Sequence, residues 1–213
     1  MTKFVYFAFA SLAFACFAFP PTAHAVSPAP DGGYPGGNTA EGQNALFSLT
    51  TGGFNTAVGW FSLKSLTTGS FNTGVGAGTL VLNSGDENTA TGVGALLLNT
   101  TGGSNTAIGA FALFNNTTGL ATAIGKGALF SNTTGSHNTA NGLNALFSNT
   151  TGSFNTANGD GALYGNTTGS DNVANGYFAL LATPPPTSTR PTALTHSKTI
   201  PAETTPLTAL MRS

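Results

Sequence analysis

NTANGLNALFSNTTGSF occupies residues 138–154, and NTANGDGALYGNTTGSD follows at 155–171. The seventeen residues before them read ATAIGKGALFSNTTGSH. The same unit begins at Asn38, Asn55, Asn72, Asn88, Asn105, Ala121, Asn138, Asn155 and Asn172, at steps of 17 or 16 residues. The two 16-residue steps are single deletions, in LNSGDE and in TTGLAT. A period this short has no room for a helix pair, and Gly and Asn at fixed places would break a helix. It suits one coil of a solenoid, made of two short strands and two corners. The expected fold is all-β: a parallel β-solenoid (β-roll) of about nine 16–17-residue coils.

The unit can be written N-T-A-x-G-x-x-A-L-x-x-N-T-T-G-x-x. Its ninth position is Leu46, Leu63, Leu80, Leu96, Leu113, Leu129, Leu146, Leu163 and Leu180, and a leucine stacked on a leucine every turn fills a narrow core. The third position is alanine except at Gly74, so a small side chain is needed there. The fourth varies from Glu41 through Val58 and Ile108 to Asn175, which marks a face that is not uniformly buried. Asn-Gly in the last three copies places the fourth and fifth positions at a corner. NTTG supplies the second corner, with its glycine expected at positive φ.

The tenth position runs Phe47, Lys64, Val81, Leu97, Phe114, Phe130, Phe147, Tyr164 and Leu181. On a strand, positions nine and ten point opposite ways. A strand apolar on both faces is buried on both, and a long exposed apolar row is rare on monomers. The expectation is an oligomer packed along Phe47, Phe114, Phe130, Phe147 and Tyr164. The alternative is a fatter monomeric coil that encloses both faces.

Only 6% of the 213 residues are charged and the formal net charge is −1, which excludes the basic footprint of a nucleic-acid binder. With 40% hydrophobic residues, the chain also differs from a charge-solvated disordered one. Residues 1–25 carry Lys3, the apolar run FVYFAFASLAFACFAF and AHA at 23–25, and read as a signal peptide cleaved after Ala25. An uncleaved anchor is the alternative, although the run is short for a span of about 20 residues. A lipid anchor on Cys16 would need a small residue where Phe14 stands. The reading implies an exported chain, extracellular or at the cell surface, with no cysteine and no membrane span after cleavage. Residues 26–37 form a Pro/Gly-rich leader, 38–183 the repeat domain and 184–213 a Pro/Thr-rich tail expected to be disordered.

NTAIG, NTAVG and NTTGSFNTANG resemble the head repeats of trimeric autotransporter adhesins, the YadA-like head family, and variants in phage tail fibres. The resemblance covers residues 38 to about 183. It implies a left-handed parallel β-roll, a homotrimer, and adhesion at the cell surface to a host-surface or matrix ligand. The tail departs from that pattern. It shows neither the heptads of a stalk nor the alternating strands of a membrane barrel, so surface attachment is open, as is a truncated or frame-shifted origin.

No catalytic, cofactor or metal site is expected. His24, His137 and His196 are too scattered for a metal cluster, and Asp86–Glu87 is the one adjacent acid pair in the array. GLATAIGKG lacks the spacing of a phosphate loop. The Asn-Thr-Thr sequons at Asn99, Asn116, Asn132, Asn149 and Asn166 recur at one repeat position, which points to a structural turn rather than to glycosylation. The leading expectation is a non-catalytic structural or adhesive module. A phage-type fibre segment is a further class, against which the signal peptide argues. An ordered-array binder, such as an ice-binding solenoid, is another alternative: threonine stands at the second position from Thr39 to Thr156, though without a second threonine column.

Overall fold

A computed structural model of the protein describes residues 34–181. The signal-like segment, most of the leader and the tail lie outside the described residues. The strands are β1 Thr39–Glu41, β2 Thr56–Val58, β3 Thr73–Val75, β4 Thr89–Thr91, β5 Thr106–Ile108, β6 Ala121–Ile124, β7 Asn138–Asn141, β8 Thr156–Asn158 and β9 Val173–Asn175. They pair in parallel, in chain order, in one nine-stranded sheet. The protein is thus a parallel β-solenoid with one coil per repeat.

Register follows the repeat. Thr39 pairs with Thr56, Ala57 with Gly74 and Ile108 with Ile124. The short steps leave it intact, since Thr73 still faces Thr89 and Thr106 still faces Thr122. The missing residues come out of the NTTG corner, where the chain is irregular.

Inside the sheet, the third-position alanines are buried, Ala57, Ala90 and Ala107 among them. The leucine ladder shares their core: Leu63 through Leu163 are fully buried, Leu46 is buried and Leu180 is partly buried against the cluster. The tenth-position side chains lie outside this core. The leucine wall, however, is not the second strand that the alternation of positions nine and ten predicts. Every ladder leucine sits at φ between 49° and 54°. The left-handed conformation costs about 1–2 kcal/mol per residue. Burying a leucine returns about 1.5–3 kcal/mol. Two backbone bonds per coil add about 1 kcal/mol each, such as Leu63 N–H to Thr79 O at 2.9 Å and Ser65 N–H to Val81 O at 3.1 Å. The balance favours the strained turn, so the wall is hydrogen-bonded coil to coil without strand geometry.

The two corners differ. The fifth-position glycines sit at φ 120° to 141°, as in Gly59 and Gly142, and close the first corner directly after the strand. The NTTG glycines have no positive φ, contrary to expectation. They are needed for close approach, because a Cβ on Gly69 would meet Gly85 O at 2.7 Å. Positive φ falls instead two residues later, at Phe54, Phe71, His137 and Phe154.

Two buried asparagine ladders line the interior beside the leucines. In the first, Asn38 Oδ1 accepts Asn55 N–H at 2.8 Å and Asn55 Nδ2–H at 3.0 Å. In the second, Asn116 Nδ2–H donates to Asn99 Oδ1 at 3.0 Å and to Gly119 O at 2.9 Å. Among the described residues no buried side-chain polar atom lacks a partner. Ala121 interrupts the first ladder and has no amide to offer Asn138. There the main chains pair directly, and β6 and β7 start one residue earlier than their neighbours. Residues 34–37 close the N-terminal end: Tyr34 bridges Asn38, Gly36 O accepts Phe54 N–H, and Pro35 O accepts Asn38 Nδ2–H.

Candidate functional site

With the interior filled, the rows of outward side chains are what the molecule presents. The tenth-position row is the most ordered. Phe114, Phe130, Phe147 and Tyr164 stack ring on ring, with centroids 5.2, 5.1 and 5.2 Å apart and ring planes within 7° of parallel. Stacking leaves them half-buried. Phe47, without a stacked neighbour, is 67% exposed. Lys64 interrupts the row and lies over the Phe61 ring, which in turn stacks on Trp60.

A second aromatic row runs along the seventeenth position. Phe54 stacks on Phe71 at 5.3 Å and His137 on Phe154 at 4.8 Å. His137 is exposed there, as its variable corner slot suggests. This row was not legible as a row, because Glu87, Ser104 and Leu120 break it in sequence; the recurrence of Phe one residue before Asn was the available signal.

The sheet supplies the third surface. Second and fourth positions are two residues apart on a strand and share its outer face. Val58, Val75, Ile108 and Ile124 therefore stand beside the threonine column, each 37–42% exposed. The column beside the threonines is not a second threonine column: it is β-branched through β2–β6, with Thr91 among Val and Ile, and asparagine from β7 to β9.

The polar groups singled out for chemistry are engaged elsewhere. Asp86 Oδ1 accepts Ser70 N–H at 2.8 Å, and Glu87 Oε2 accepts the Ser104 hydroxyl at 2.8 Å, so each carboxylate ties its own coil to a neighbour. Among the described residues there is no group of three or more His, Cys, Asp or Glu placed to hold a metal ion. No helix among them is long and apolar enough to cross a membrane. Asn99, Asn116, Asn132, Asn149 and Asn166 are fully buried, which removes the sequons from any folded glycosylation surface. The chain matches no protein-family model, no curated protein and no solved structure.

Proposed function

We propose that the chain is an exported, non-catalytic structural and adhesive head module that works by displaying ordered rows of side chains and assembles as a homotrimer. The observation that carries the reading is the stacked row Phe114–Phe130–Phe147–Tyr164, held half-exposed outside an interior that has no room left. Such a row is a surface for contact, and a patch of this kind is rare on a chain that stays alone. The resemblance of the repeats to trimeric adhesin heads supports the same assembly, three rods side by side along the aromatic wall.

Adhesion is tested with latex beads carrying residues 26–213 through a C-terminal tether, washed over surfaces coated with collagen, fibronectin or laminin. The proposal expects retention on at least one coating well above that of albumin-coated beads. Retention equal to albumin on all three overturns the adhesive part of the reading.

A further inference from the structure

We propose that the outer face of β2–β6 is a binding face for an ordered water lattice, the surface of ice. The face consists of the threonine column from Thr56 to Thr122 and, beside it, Val58, Val75, Thr91, Ile108 and Ile124. Register is unbroken down both columns, with Thr56 on Thr73, Thr89 on Thr106 and Ile108 on Ile124. Neither short repeat disturbs it. The side chains therefore repeat at about 4.8 Å along the rod and about 6.7 Å across it. Both spacings are of the size of the oxygen repeats on the prism face of hexagonal ice.

The hydroxyls of this column are free to bind. Corner threonines spend theirs on the next coil: Thr100, Thr117 and Thr133 donate to the carbonyls of Thr117, Thr133 and Thr150 at 3.0–3.1 Å. Among the described residues, the five threonines of the column, Thr56, Thr73, Thr89, Thr106 and Thr122, make no such bond. Their β-branched side chains, and those of valine and isoleucine beside them, are stiff at χ1. A stiff row of hydroxyls and methyls loses little freedom on meeting a rigid lattice.

Charge and area select the occupant. No charged side chain stands on the face between Val58 and Ile124, which suits a neutral lattice and offers nothing to a charged polymer. Three-residue strands over the five coils of β2–β6 give a face of roughly 240 Å², against about 800 Å² per partner in a stable protein interface. A second copy held by this face alone is therefore disfavoured. Crystalline polysaccharide would be gripped by aromatic rings, and here the rings stand on the other wall and at the corners.

The test is the gap between melting and freezing temperature, with crystal shape, measured on residues 26–213 at millimolar concentration. The native chain is expected to open a measurable gap and to facet the crystals. Thr89→Tyr, at the centre of the face, should lose most of that gap. Thr106→Val, nearly the same shape, should lose part of it with an unchanged circular dichroism spectrum. Thr134→Tyr, on an exposed corner, should keep it. Four outcomes overturn the proposal: no gap from a natively folded chain, an equal loss from Thr134→Tyr, retention on chitin or cellulose without a gap, or a native oligomer that Ile108→Lys splits into monomers. The last would mean that copies of the chain cover this face.

Discussion

Gly74 is the one third-position residue that is not alanine, and its neighbours explain it. The eighth position is alanine in most coils but Ser62 and Thr79 in two adjacent ones. Their hydroxyls lie 2.8 Å apart, and Ser62 Oγ donates to Gly74 O at 3.0 Å. A Cβ on Gly74 would sit 2.5 Å from Ser62 Oγ and 2.8 Å from Thr79 Oγ1. Gly74→Ala should therefore cost about 1–3 kcal/mol by overpacking. Adding Ser62→Ala and Thr79→Ala, which restores the composition of the other coils, should recover most of it in urea titrations. No recovery would show that the glycine serves its backbone rather than the hydroxyl pair. The need for a small residue was legible in the sequence; the reason was not, because nothing in the repeat says that position eight faces position three across the core. The ladder makes a sharper contrast. Leu129→Asp buries an unpaired charge between Leu113 and Leu146 and should cost more than about 3 kcal/mol. Asn141→Ser, on the exposed face, gives up one 3.2 Å bond to Asn158 and should cost less than about 1 kcal/mol. Equal losses would contradict the assignment of inside and outside.

At the scale of the element, the coil is a strand, a glycine corner, a leucine turn and an asparagine corner. Periodicity alone revealed the first, the second and the burial of leucine. It misassigned the leucine wall because leucine at φ near 50° carries no signature in sequence, whereas glycine or asparagine does. The threonine column was legible; its partner column was hidden by the variety of the fourth position, where Val, Thr and Ile share shape rather than name. The asparagine corner makes its own prediction. Asn116 gives one amide to two acceptors, and its Oδ1 receives Asn132 Nδ2–H at 2.8 Å. A glycan there cannot coexist with the folded coil. Secreted from a glycosylating host, the protease-resistant fraction should show the unmodified mass, and any glycosylated chains should be unfolded. A folded, resistant species carrying glycan on Asn116 would contradict the ladder. Likewise Asn116→Ala, which leaves the acceptors Asn99 Oδ1 and Gly119 O without its amide and the Asn132 Nδ2–H donor without its oxygen, should cost about 1–3 kcal/mol per orphaned group. Hydrogen exchange at the amides of coils five and six should speed up first, since each repeat is stabilised by its neighbours. A change spread evenly over all coils would contradict a stack of nearest-neighbour contacts.

At the scale of the whole molecule, nine coils make a rod about 43 Å long. Its inner wall is closed by amides and leucines. Its outer rows are set by register, so each substitution in a repeat changes one rung of one row. The two proposals use different walls: the stacked rings for assembly, and the threonine sheet for a lattice. The assembly is the central claim, and it is reached most directly by the mass of the purified chain 26–213 in multi-angle light scattering. A trimer is predicted over a wide concentration range, and the triple change of Phe114, Phe130 and Phe147 to Lys should release monomers or aggregate, because each buried aromatic contributes about 2–3 kcal/mol. A native chain that remains a monomer at high concentration would contradict the account.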